Sequence, residues 1–214
     1  MRISRSGFSF SGSAGDVEWL AAEFKRRHCI RVTQLLDPPL LAAVQKHIQG
    51  AEFVARTHDG IGVEQCMAQN AVGGLLHFLL NQPGLFRLVE TITRCGAIGC
   101  FAGRVYRMHP GEGHYDSWHN DAGEGRLIGM SLNLSTALFA GSAFQLRERG
   151  SKQVLCEVAN TGFGDAILFR IAPELQHRIT ELEGNVPKTA FAGWFQSGPD
   201  YRSLAAFGWR GDGR

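Results

Sequence analysis

The sequence predicts an α+β chain that is mainly β: a double-stranded β-helix, or jelly roll, with N-terminal helices packed on one sheet. Three observations carry this. Apolar residues recur at helical spacing up to about residue 95, whereas beyond Gly96 they fall into short alternating or continuous runs. Those runs are separated by Gly, Pro, Asn and Asp at the short intervals of an all-β sandwich or barrel. Glycine is also abundant, 27 of 214 residues, and most of it lies in the second region, where many turns between strands require it.

Residues 1–15 are rich in Ser and Gly and carry no apolar h-region after the basic start, so they read as a flexible leader and not as a signal peptide. Asp16 is positioned to cap a helix over Val17–His28, with Val17, Leu20, Ala21 and Phe24 on one face. Its basic end, Lys25-Arg26-Arg27, complements the helix dipole. Cys29–Leu35 alternates like a strand. Asp37-Pro38-Pro39 then supplies an N-cap and first-turn prolines for a helix through Gln49, closed by Gly50. Two further helical patterns span Ala71–Asn81 and Pro83–Arg94, the second with Leu85, Phe86, Val89 and Ile92 as its apolar stripe. The stretch Thr57–Gln69 reads as a loop. After Gly96 the strand segments are Ile98–Met108, His114–Trp118, Leu127–Leu134, Ser142–Arg147, Gln153–Val158, Asp165–Arg170, His177–Thr180 and Lys188–Gln196. The expected organisation is one domain over residues 1–214: leader 1–15, mainly helical support 16–95, jelly-roll core 96–197 and a tail 198–214.

Composition narrows the function classes. Hydrophobic residues at 44% and charged residues at 20% are globular proportions, which excludes wholesale disorder and a coiled coil. A formal net charge of +2 and no basic block longer than Lys25-Arg26-Arg27 argue against a nucleic-acid binder. No apolar run approaches the ~20 residues of a membrane span. The five cysteines, Cys29, Cys66, Cys95, Cys100 and Cys156, are odd in number and contain no C-x-x-C, so five reduced thiols in a cytoplasmic protein are expected.

Two histidines stand out. In His119-Asn120-Asp121 an imidazole and a carboxylate lie two residues apart, so on an extended strand end both project to the same side and can share one ion. His177, following the turn and strand Gly164–Phe169, is the candidate third ligand. Two histidines and one carboxylate leave positions open on the far side of a metal, the facial arrangement of non-haem Fe(II) oxygenases; zinc is more usually closed by a fourth ligand. His-x-Asp by itself is a weak signal, which a surface histidine near a carboxylate supplies as readily. Downstream, Lys188 is the only cation in the alternating strand Lys188–Phe195, where burial would be costly unless an anion met it. A solvated position at the strand's entrance is the alternative.

Taken together, Tyr106–Gly111, Trp118-His119-Asn120-Asp121, Ser131–Ser135, Gly141–Phe144, Gly164–Phe169, His177-Arg178-Ile179 and Lys188 before Gly193-Trp194-Phe195 resemble the ordered motifs of the 2-oxoglutarate and Fe(II)-dependent oxygenases of the prolyl-hydroxylase-like type, over roughly residues 96–197. The resemblance implies Fe(II) held by His119, Asp121 and His177, and 2-oxoglutarate chelating through its keto acid end with Lys188 on its far carboxylate. It also implies dioxygen as cosubstrate and hydroxylation of a small molecule or peptide side chain, with release of succinate and carbon dioxide. Two departures from the family pattern matter. Ala190 stands where relatives often carry a hydroxyl residue, so a second cosubstrate hydrogen bond must come from elsewhere. Met108 and His109 stand where many relatives carry Tyr ahead of the Pro-Gly turn. Tyr106 and Asn133 are the candidates for that bond, with ordinary packing or turn roles as the equal alternative. Trp118, Phe144 and Phe169 are expected to pack the barrel, and Asp165 to cap a turn, with Arg178 either neutralising it or lining the mouth. Two rival readings are a non-catalytic cupin-like sensor, disfavoured by Lys188, and a nucleic-acid demethylase, disfavoured by the modest charge.

Overall fold

In the computed structural model, which describes residues 1–123 and 125–198, the chain pairs with itself from its first residues. Strands β1 (Arg2–Ser4) and β2 (Gly7–Ser9) form an antiparallel hairpin. Ile3 is fully buried, donates from its N–H to the Leu35 carbonyl at 2.6 Å and accepts from the Asp37 N–H at 3.0 Å. The flexible leader expected over residues 1–15 is corrected accordingly: one isoleucine side chain, worth ~1.5–3 kcal/mol when buried, anchors it. The tail expected over 198–214 lies outside the described residues from 199 onward.

Helix α1 (Ala14–Arg27) starts at Ser13 and not at Asp16. Ser13 Oγ accepts from the Asp16 N–H at 3.2 Å while the Asp16 carboxylate accepts from the Ser13 N–H at 2.7 Å, a reciprocal capping box in which Asp16 is the third helical residue. After β3 (Cys29–Val32), helix α2 (Pro38–Gln49) has the predicted bounds, and Asp37 Oδ1 accepts from the Leu40 N–H at 2.9 Å. The expected loop Thr57–Gln69 is mostly hairpin: β4 (Phe53–His58) and β5 (Gly62–Met67) pair in full register. Most of β4 is exposed, so neither strand shows the apolar alternation that marks a half-buried sheet. Helices α3 (Ala71–Leu80) and α4 (Pro83–Thr93) follow.

The β region contains β6 (Cys100–Met108), β7 (Tyr115–His119), β8 (Arg126–Asn133), β9 (Ala140–Gly141), β10 (Phe144–Glu148), β11 (Val154–Val158), β12 (Ala166–Arg170), β13 (Leu175–Ile179), β14 (Leu182–Glu183) and β15 (Lys188–Gln196). The hydrogen-bonded order is β11-β10-β13-β7-β5-β6-β15-β8-β12-β3, with β4 on β5 and every named pair antiparallel. This is a nearly closed jelly roll. Period-two alternation sorts its side chains. On β15, Phe191 and Phe195 join a core with Phe101 and Val105 of β6, Leu40, Leu41 and Val44 of α2, and Leu85, Phe86 and Val89 of α4. Lys188, Ala190, Ala192 and Trp194 take the opposite, interior face. On β12, Leu168 packs toward the helices, while Ile167 and Phe169 meet Phe144, Leu146, Leu175 and Ile179 of the opposing strands.

Cys29 and Cys156 are disulfide-bonded, 127 residues apart in sequence, which corrects the expectation of five free thiols; Cys66, Cys95 and Cys100 stay outside that bond. The strands that carry the pair, β3 and β11, stand at the two ends of the sheet order. Among the described residues no helix is long and apolar enough to cross a membrane.

Candidate metal centre

His119 ends β7, Asp121 lies two residues beyond it, and His177 sits in the middle of β13, directly paired with His119 across the ladder. Strand pairing therefore closes a gap of 58 residues in sequence. Nε2 of His119 is 3.8 Å from Asp121 Oδ1, and Nε2 of His177 is 3.4 Å from Asp121 Oδ2. One ligand atom from each lies within 4.8 Å of the others, and among the described residues no other such group forms.

The surroundings set the protonation states that a cation needs. His119 Nδ1 lies 2.7 Å from the Ser117 carbonyl, which can only accept, so Nδ1 carries the proton and Nε2 is left to ligate. Burial holds the His177 imidazole below its ordinary pKa, toward the neutral form. Asp121 is also desolvated, yet His177 beside it and the Trp194 indole, which donates to Oδ2 at 2.7 Å, hold its carboxyl well below the usual range. Arg126 stacks over Trp194 at 3.9 Å and places a guanidinium nitrogen 3.6 Å from Asp121 Oδ1. Two imidazole nitrogens and an ionised carboxylate fit a divalent transition metal. Phe144 and Phe169 are buried as expected, but they also pack on His177, Phe144 stacked at 6.0 Å and Phe169 tilted at 4.6 Å, and line the cavity.

That cavity has a volume of about 570 Å³ and contains all three candidate ligands in its lining. It is large enough for a cosubstrate and a small substrate group. Gly103 and Gly193 face one another across β6 and β15 in its wall; a Cβ on either would run into the opposite backbone.

By sequence, no family model and no curated protein matches the chain. By structure it is similar to an oxidoreductase of the 2OG-Fe(II) oxygenase family from Burkholderia pseudomallei, with a TM-score of 0.66 and 16% identity over 94% of this chain and 97% of that one. A Pseudomonas putida prolyl-4-hydroxylase gives a TM-score of 0.64 at 14% identity, covering 86% of this chain and all of the other. The non-haem α-ketoglutarate-dependent epimerase SnoN from nogalamycin biosynthesis gives 0.61 at 14% identity, over 86% and 84%. The chain has the 2OG-Fe(II) oxygenase fold.

Within this oxygenase fold the remaining predicted residues separate. Lys188 is 1% exposed on the interior face of β15; its Nζ donates to Ser142 Oγ at 3.0 Å, and desolvation lowers its pKa to about 8. It is therefore not the solvated entrance residue of the alternative reading. It does not itself line the cavity, whereas Met108, its register partner on β6, does. Tyr106 lines the cavity and is buried, which pushes its phenol far above the ordinary value. Asn133, like Lys188, is not in the lining: its amide donates to the Gly162 carbonyl at 3.0 Å and accepts from the Ser135 N–H at 2.9 Å, the turn role given as its alternative. Asp165 pairs with Arg31, Oδ2 accepting from Nε at 2.7 Å, while Arg178 donates to Gln145 at 2.8 Å. Sequence reasoning missed the residues around the ligands: Trp194, Arg126 and Asp116, whose carboxylate is 3.2 Å from His119 Nδ1. Trp194 shares the parity of Lys188 on β15, a signal that was available.

Proposed function

We propose that this protein is a 2-oxoglutarate- and Fe(II)-dependent dioxygenase that hydroxylates a small molecule or a peptide side chain and releases succinate and carbon dioxide. The observation that carries the reading is the convergence of His119, Asp121 and His177 inside one cavity of a jelly roll. The donor set supports Fe(II): two nitrogens and one carboxylate oxygen on one side, open positions on the other. Fe(II) with 2-oxoglutarate and dioxygen would supply the oxidising chemistry, which amino-acid side chains cannot.

The chain's own residues do the rest. His119 is held in its ligating tautomer by Ser117, and Asp121 is oriented by Trp194. Lys188 would meet the far carboxylate of 2-oxoglutarate: its ammonium is fully buried, donates to Ser142 and forms no ion pair among the described residues, with Asp116 acting on it at longer range. Tyr106, in the cavity lining, would give the second cosubstrate hydrogen bond through its phenol. Phe144 and Phe169 keep water from His177.

The test is conversion of 2-oxoglutarate to succinate, followed by NMR with added Fe(II) in air. Wild type is expected to turn over slowly without primary substrate, and His119→Ala, Asp121→Ala and His177→Ala are expected to lose turnover while retaining the wild-type circular dichroism spectrum. Turnover at the wild-type rate in any folded member of this set would overturn the ligand assignment.

A further inference from the structure

One wall of the cavity carries charge that the metal centre does not use. Arg104, on the interior face of β6, is clamped along one edge of its guanidinium: Nε donates to Glu64 Oε1 at 2.7 Å, and a terminal nitrogen lies against the same oxygen and 3.2 Å from His58 Nε2. Glu64 is buried, and its Oε1 is also within hydrogen-bond reach of His58 Nε2 at 3.1 Å and Cys66 Sγ at 3.3 Å. Glu64 thus fixes one guanidinium, which also has Cys66 beside it, on the wall of the cavity. Arg56 stands directly opposite Glu64 in the β4–β5 register, lines the same cavity and forms no ion pair or hydrogen bond among the described residues. Arg104 is thus paired with Glu64, whereas Arg56, across the ladder from that carboxylate, is unpaired; Asp116 is a further carboxylate of the lining.

Here a guanidinium held by Glu64 has already lost its rotamer freedom, so the N–H it turns to the cavity is pre-aimed at an oxyanion, and the unpaired Arg56 adds a second cation beside it. Its place fits a substrate. Arg104 pairs with Ala192 across β6 and β15, and the next pair on the same face is Ala102 with Trp194, the residue bonded to Asp121. One such step is about 7 Å.

We infer that the primary substrate carries an oxyanion, a carboxylate or a phosphate-type group, that docks on Arg104 and Arg56 and so aims a nearby C–H bond at the metal. The inference rests on the oxygenase reading for the metal, while the anion site is built from residues outside it.

The test uses protein loaded with Mn(II) and saturating 2-oxoglutarate, so that Lys188 and the metal are occupied, titrated calorimetrically with isobutyrate and, separately, methyl phosphate. At least one anion is expected to bind in the millimolar range, and the tighter of the two identifies a planar or a tetrahedral group. R104K keeps a charge against Glu64 but loses the fork, and should weaken that anion roughly tenfold. R56Q, an exposed position, should weaken it severalfold. The double variant E64Q/R104Q, which leaves no orphaned buried charge, should abolish binding with its fold checked by circular dichroism. No binding of either anion to the wild type, or binding unchanged across these variants, would overturn the inference. Metal and 2-oxoglutarate binding are measured first on the same samples. Failure there strikes the oxygenase reading, and the arginine dependence of anion binding still decides this one.

Discussion

Asp121 answers to four neighbours: His177 at 3.4 Å, His119 at 3.8 Å, Arg126 at 3.6 Å and the Trp194 indole at 2.7 Å. Of these only Trp194 donates a hydrogen bond from a rigid, half-buried ring, so it fixes which carboxylate oxygen faces a metal. Trp194→Phe removes that donor and keeps the ring; it should weaken Mn(II) by about ten- to a hundredfold, read by electron paramagnetic resonance titration. Unchanged affinity would show that the contact orients nothing. Lys188 offers a pH test. Its pKa lies at about 8 against an ordinary 10.5, so between those values the unfolded chain binds the extra proton and this group makes stability rise with pH. Cosubstrate affinity runs the other way. If the ammonium meets the far carboxylate, 2-oxoglutarate binding should weaken by about tenfold per pH unit above 8, while pyruvate, which lacks that carboxylate, stays flat. Parallel profiles for the two ligands would remove Lys188 from the cosubstrate site. At this scale the metal residues were legible because His119, Asp121 and His177 are chemically distinctive types in an extended context. Asn133 was not, because what an amide bonds depends on a loop around Gly162 that no spacing reveals.

At the scale of the element, α2 was readable at both ends because Asp37-Pro38-Pro39 and Gly50 are local signals. The start of α1 was misread by three residues because Ser13 and Asp16 act as a reciprocal pair, and only one member was weighed. The β1–β2 hairpin was invisible for a different reason: its one buried side chain, Ile3, gains its partners from Leu35 and Asp37. Ile3→Ala should therefore lower stability by about 2–5 kcal/mol in chemical denaturation; a change near zero would restore the flexible leader. The β4–β5 hairpin hid in the same way, since residues that line a polar cavity do not alternate with apolar ones. That concealed Arg56, His58 and Glu64, the hairpin residues that stand beside Arg104 of β6.

For the whole molecule, the jelly roll followed from the recurrence of short strands, but strand order did not, and order decides which distant residues touch. Cys29 and Cys156 show this: an odd cysteine count pointed to free thiols, whereas β3 and β11, the two ends of the sheet order, bring the pair together. Thiol titration of denatured, unreduced protein should find the three thiols of Cys66, Cys95 and Cys100, and a count equal to all the cysteines would contradict the bond. The same closure makes one cavity of β6, β7, β13 and β15, and so assembles the candidate ligands from both ends of the β region. Anaerobic titration of the Fe(II)-loaded protein with 2-oxoglutarate tests that assembly most directly, through the visible metal-to-ligand charge-transfer band. The wild type is expected to develop the band, His177→Ala to lack it, and Lys188→Ala to need about one to two decades more 2-oxoglutarate. A wild-type protein that binds Fe(II) and 2-oxoglutarate yet shows no band would contradict chelation at His119, Asp121 and His177.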